Sequence, residues 1–218
     1  VQNRLYRERS FGMGDGGAGA EWLKWIAPQS CWVGPPRADR LRESLLAQKM
    51  DPDGYVWAMR YDGGYPHGLR YGVGPRGRRH YSSNAAYVLG AFSYFTWTRD
   101  RPLLEALLPC LRRALGFYFD SPDCRWEDDV VAIVEPAHNG TSRGTASTAY
   151  DCLPFGYKCA LTNAEVYEAL AAMAELETMC GEGGRAREWA ALGERLQAGY
   201  NTQFWDGAAG RYVGCIDV

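Results

Sequence analysis

The carboxylates of residues 120–160 are the side chains of this 218-residue chain best suited to chemistry: Glu127, Asp128, Asp129, Glu135 and Asp151. General acid catalysis needs a carboxyl group that keeps its proton near neutral pH, and apolar or like-charged neighbours provide this by disfavouring the anion. Asp151 has such neighbours in Tyr150-Asp151-Cys152-Leu153-Pro154-Phe155, directly ahead of a helical pattern. Three roles fit it: proton donor, hydrogen-bond partner of a substrate, and structural hydrogen bonding. Glu127-Asp128-Asp129 is a like-charge run beside Trp126, and a solvated turn fits it equally well. Aromatic rings with polar tips suit the CH face and hydroxyl rim of a sugar, which makes Trp57, Tyr65, Trp126 and Tyr150 candidate platforms; core packing is the competing role of each taken alone. His67 and His80 flank the same aromatic stretch and could donate to ligand hydroxyls, although ordinary loop histidines fit as well. Glu135, His138, Asn139 and Lys158 complete the candidate binding set.

Other chemistries find little support. Gly12-Met13-Gly14-Asp15-Gly16-Gly17 has the spacing of a dinucleotide-binding turn, but no apolar strand precedes it and no βαβ pattern follows. No phosphate-binding loop, serine nucleophile elbow or zinc-protease helix motif occurs, and no cofactor or metal is expected. The basic run Arg76-Gly77-Arg78-Arg79-His80 reads as a solvated loop. Seven cysteines, an odd number without CxxC or metal-ligand spacing, read mostly as reduced structural thiols, with Cys110 and Cys180 as small buried hydrophobes inside helices. Reduced thiols favour a cytoplasmic setting, while the sequon Asn139-Gly140-Thr141 points the other way.

With 46% hydrophobic and 13% aromatic residues the chain can build a core, which excludes a disordered tail. A net charge of -2 gives no footprint for nucleic acid or an anionic membrane, so the expected partner is a neutral molecule. No apolar run approaches a membrane span, and the opening VQNRLYRERS is too polar for a signal peptide.

The elements that must position these residues are helices. Residues 1–31 are Gly-rich and irregular, with a short helix expected over 21–26. Residues 39–49 carry Leu41, Leu45 and Leu46 at helical spacing, followed by the turn Asp51-Pro52-Asp53-Gly54 and a long aromatic, Gly-rich loop to Ser82. Residues 84–97 predict a helix, Thr98-Arg99-Asp100 breaks it, and Asp100 caps the next, whose stripe is Leu104, Leu107, Leu108, Leu111, Leu115 and Phe119. Residues 120–160 read as an irregular polar loop. A capping box at Thr162 and Glu165 predicts a third helix to Cys180, and a fourth runs from about Arg185 to Phe204 before a turn between short extended pieces. Helical hairpins joined alternately by tight turns and long loops gather the long loops 50–82 and 120–160 on one face, where a pocket forms.

The run HYSSNAAYVLGAFSYFTWTRD with its Leu-rich sequel resembles a hairpin of the six-hairpin glycosidase superfamily, the α/α-toroid hydrolases of glucoamylase, trehalase, rhamnosidase and processing α-glucosidase type. The stronger resemblance lies in YDCLPFGYKCALTNAEVYEALAAMAELETMC and its continuation to the hairpin ending with Asn201, Phe204, Trp205, Asp206, Gly210, Arg211 and Tyr212. It covers roughly residues 32–218, which it marks as a partial toroid catalytic domain.

The resemblance implies an all-α toroid, hydrolysis of a glycosidic bond in a small oligosaccharide, often with inversion, and a general acid in the Tyr150-Asp151 context. An inverting reaction needs a second carboxylate about 6.5–9.5 Å away, for which Glu127 or Asp128 could stand in. Twelve helices of about 18 residues with connections of about 10 require on the order of 340 residues, so the chain reads as about half a ring, cut at both ends. The remaining half, or a second chain, is the expected partner besides the glycoside. Two other functions fit the residues: a non-catalytic carbohydrate-binding helical module, and a sugar epimerase or isomerase using His67 and His80.

Overall fold

The computed structural model describes Leu23 and residues 35–57, 81–134 and 157–216. The boundary at residue 31 and the expected helix over 21–26 lie outside these residues, apart from Leu23, which is buried against Gly90.

Helix α1 (Pro35–Leu46) begins earlier than its apolar spacing suggests, because the first turn tolerates proline, whose missing N–H would have no intrahelical partner there. Helix α2 (Ser83–Thr98) ends where Arg99 turns left-handed at φ 55° and returns its N–H to the Phe95 carbonyl. Helix α3 (Arg101–Asp120) starts at once, its cap Asp100 accepting from the Leu103 amide at 3.3 Å. The predicted leucine stripe faces the core, with Leu104, Leu111 and Leu115 at most 1% exposed.

Residues 120–160 are not wholly irregular. Strands β1 (Cys124–Glu127) and β2 (Val130–Ile133) form an antiparallel hairpin, and β3 (Lys158–Cys159) leads into α4 (Ala160–Met179). Helix α4 opens before the expected capping box: Cys159 is its N-cap, and Thr162 and Glu165 are buried inside the helix. Gly181, at φ 82°, separates α4 from α5 (Gly183–Phe204). Beyond α5, β4 (Trp205–Asp206) pairs with β5 (Arg211–Tyr212), and β6 (Cys215–Ile216) returns to pair with β3. Cys110 is exposed rather than buried: it sits on the flank of the stripe centred on Leu104, Leu111 and Leu115.

Burial sorts the helices into two layers. Helix α2 buries residues on all sides, including Ser83 and Asn84, and α4 buries 11 of its 20 residues. Helix α5 buries five of 22, and α3 is strongly amphipathic. Helices α2 and α4 are therefore inner, and α3 and α5 outer. The Tyr118 hydroxyl, in the last turn of α3, accepts from Ala85 and donates to the Tyr81 carbonyl at the start of α2, so these helices run antiparallel. Arg112 of α3 binds Glu177 near the end of α4, while Tyr118 lies near Glu165 in its first half, so α3 is antiparallel to α4 as well. The inner helices are consequently parallel, and the described residues that flank 58–80 and 135–156 lie at their common N-terminal end.

The hairpins that follow α1 and α3 each pack their tip on an outer helix further along the chain. After α1, Met50 bridges Val56 around Gly54, and a Cβ at Gly54 would lie 2.6 Å from the Arg113 carbonyl oxygen of α3. After α3, the tip of β1–β2 places the Asp129 carbonyl against Gly199 of α5, again leaving no room for a Cβ. After α5, β4–β5 has the same form, and its tip, residues 207–210, is exposed.

Candidate functional site

Two buried asparagines fix where the loops depart. Asn84 of α2 accepts from the Val56 amide (2.9 Å) and donates to the carbonyls of Gly54 (2.8 Å) and Ala114 (2.7 Å). Asn163 of α4 accepts from the Val131 amide (2.7 Å) and donates to the carbonyls of Val131 and Cys159, both at 3.0 Å. Each one locks the root of a hairpin to an inner helix, so the loop that follows starts and ends at one place. At that end the hydroxyls of Ser82 and Ser83 are buried and have no hydrogen-bond partner among the described residues.

The hairpin carries an ionic cluster. Asp128 and Asp129 are its two central turn residues, at φ 52° and 59°, a left-handed conformation that Asp tolerates better than most residues. Glu127 accepts from the Tyr157 hydroxyl at 2.6 Å and pairs with Arg125 at 2.9 Å and Lys158 at 3.5 Å. The Tyr157 hydrogen bond, aided by the Lys158 and Arg125 charges against some desolvation, holds the Glu127 carboxyl below the usual glutamate range. Burial alone would pull the 5% exposed Lys158 down, but Asp128 at 2.7 Å and Glu127 outweigh it and keep the ammonium above the usual lysine range. Asp129 is bound by Arg195 of α5 at 2.6 Å and by the Trp126 indole N–H at 3.2 Å, and both lower its carboxyl. Glu127 is thus an ionised, well-partnered carboxylate beside Tyr157 and Lys158, suited to accepting hydrogen bonds and not to donating a proton.

Trp57, just after the return strand of its hairpin, and Trp126, in the first strand of β1–β2, are held in similar ways. Each spends its N–H on an aspartate of its hairpin, Asp51 at 2.7 Å for Trp57 and Asp129 for Trp126. Each carries a cation over its ring, Lys49 at 4.8 Å and Arg195 at 5.4 Å. Trp126 also packs on Phe119 with centroids 5.2 Å apart, so much of its ring is covered within the chain.

Of the candidates from sequence, Trp57, Trp126, Glu127, Asp128 and Lys158 are described, and the last four converge on the β1–β2 hairpin. Asp151, Tyr65, His67, His80, Glu135, His138, Asn139 and Tyr150 lie outside the described residues. Arg125, Tyr157 and Arg195 join the cluster without having been singled out. Strand alternation places Arg125 and Glu127 on one face of β1, a signal that appears once the hairpin is recognised. Among the described residues, no group of three or more His, Cys, Asp or Glu is placed to hold a metal, and no helix is long and apolar enough to cross a membrane.

No family model matches the chain, and no curated protein matches it in sequence. Among solved structures it is similar to a rhamnosidase from Klebsiella oxytoca with rhamnose bound, with a TM-score of 0.66 and 17% identity. The match covers 90% of this chain and 34% of the rhamnosidase chain. The fold is all-α, an incomplete toroid of helical hairpins that spans about a third of the rhamnosidase's length.

Proposed function

We propose that the chain forms part of the catalytic domain of a glycoside hydrolase acting on a rhamnoside or a related small glycoside. The observation that carries this reading is the anchoring of the residues that flank 58–80 and 135–156 at the N-terminal ends of α2 and α4, in a fold similar to that of a rhamnosidase. Asp151, in loop 135–156, is the proton donor to the leaving oxygen. The aromatic and histidine side chains of the two loops, Tyr65, His67, His80 and Tyr150, hold the sugar together with Glu135, His138 and Asn139. Glu127, Asp128 and Lys158 anchor the loop's base. An inverting reaction needs a water-activating carboxylate on the opposite side of the bond, and that group belongs to the part of the ring this chain does not span.

The test is incubation with chromogenic aryl glycosides, an α-rhamnoside among them, with chromatographic detection of released sugar and calorimetric titration of rhamnose. Slow turnover with saturable binding is expected, and Asp151→Asn should lower turnover about 10²- to 10⁴-fold while binding persists. Full turnover by Asp151→Asn refutes its role, and neither product nor binding with any sugar overturns the reading as a whole.

A further inference from the structure

Strands β3 and β6 pair antiparallel with Cys159 directly opposite Cys215. The Ala160 amide donates to the Gly214 carbonyl at 3.0 Å, which makes 160 and 214 a hydrogen-bonded pair. By the alternation of antiparallel ladders, Cys159 and Cys215 then form a non-hydrogen-bonded pair. In such pairs the Cα atoms stand about 4.5 Å apart and the side chains project from the same face. That separation falls within the range of about 4.4–6.8 Å that disulfides span. Both residues are thiols here; Cys159 is fully buried and Cys215 half-buried.

We propose that Cys159 and Cys215 form a reversible cross-strand disulfide, a redox latch that fastens the return strand β6 to the residue opening α4. Cys215, the more accessible sulfur, enters first: its thiolate attacks a small-molecule disulfide of the glutathione type and displaces one thiol. The Cys159 thiolate then attacks the Cys215 sulfur of the mixed disulfide and displaces the second. Two protein thiols are oxidised, losing two electrons and two protons, and the small disulfide is reduced to two thiols. Burial pushes the Cys159 thiol up, which suits the resolving role and not the entering one. The closed loop contains all of α4 and α5, and its seam lies next to Lys158. Oxidation therefore holds the anchor of Asp128 and Glu127 in place, while reduction leaves β3–β6 held by backbone pairing and the packing of Ile216 on the core. The exposed Cys110 on α3 is an internal control.

The test is equilibration of the full chain at graded ratios of oxidised to reduced glutathione, alkylation of remaining thiols, proteolysis and mass spectrometry. The expected product is a Cys159–Cys215 linked peptide that dithiothreitol removes, accompanied by a rise in thermal midpoint of about 5–15 °C over the reduced protein. Cys215→Ser should lose both the linked peptide and the thermal rise. Recovery of Cys159 and Cys215 as separate alkylated or glutathionylated residues at ratios that modify Cys110 overturns the proposal. A thermal rise that survives in Cys215→Ser does so too.

Discussion

Replacing Asn163 by alanine should cost about 3 kcal/mol of stability. Asn163 is fully buried and makes three hydrogen bonds, with the Val131 amide and with the carbonyls of Val131 and Cys159. Each buried hydrogen bond contributes about 1 kcal/mol net, and a backbone group stripped of its partner costs about 1–3 kcal/mol. Alanine returns a little through helix propensity, about 0.6 kcal/mol. The balance stays near 3 kcal/mol because two of the orphaned groups belong to β2, which is buried along its whole length. In urea, with a slope of about 2 kcal/mol per molar, the midpoint should fall by about 1.5 M. The Val131 amide should lose protection from hydrogen exchange, since its acceptor is gone. Asn84→Ala is the matched arm, with three bonds of the same kind at the root of the other loop, and should lose a similar amount. A loss below about 1 kcal/mol in either variant, or an unchanged Val131 exchange rate in Asn163→Ala, would refute the reasoning.

Glu177 is fully buried and bound by both arms of Arg112 at 2.7 and 2.6 Å, with the Trp189 N–H at 3.3 Å, so Arg112→Ala should destabilise by about 3–5 kcal/mol. Glu177→Ala should cost less, because the Arg112 it leaves behind is partly in solvent; equal urea midpoints in the two variants would contradict this. Tyr157→Phe removes the largest influence on Glu127, so its carboxyl should titrate closer to the ordinary glutamate range in a carbon-detected NMR pH series. Because the folded value is depressed, Glu127 contributes stability above an unfolded pKa of about 4.3 and loses it as pH falls through the folded value. Tyr157→Phe should shrink that acid-sensitive contribution, and an unmoved Glu127 titration would count against the assigned cause.

The helices were legible because their apolar spacing repeats over several turns and their ends carry strong signals. Asp100 caps, Arg99 turns left-handed between α2 and α3, and Gly181 does the same after α4. The β1–β2 hairpin was not legible. Its strands are four residues long, and an apolar run such as VVAI fits a buried strand or a piece of helix equally well. Its turn is Asp-Asp, not the usual Asn-Gly or Asp-Gly, so the charges drew the eye to acid chemistry while the backbone was using the same residues for their left-handed tolerance. Thr162 and Glu165 matched a capping pattern, but the pairing of β3 with β6 carried the helix start back to Cys159. Convergence of the candidates was equally hidden, because Asn84 and Asn163 act on residues 28 and 32 positions earlier in the chain, a distance no local period reports.

The seating of the first two hairpin tips on helices further along the chain gives the stability of this chain a direction. The turn after α1 leans on Arg113, whose guanidinium also binds the Asp51 carbonyl at 2.7 Å, and the turn after α3 leans on Gly199 and Arg195. Units coupled in this way behave as a one-dimensional array, with a term for each unit and a term for each neighbouring pair. Support passes backwards along the chain: loosening α5 frees the Asp129 turn first, and with it the carboxylates around Lys158, while α1 and α2 keep their own contacts. The shape of each of these two stations is thus set by the station after it.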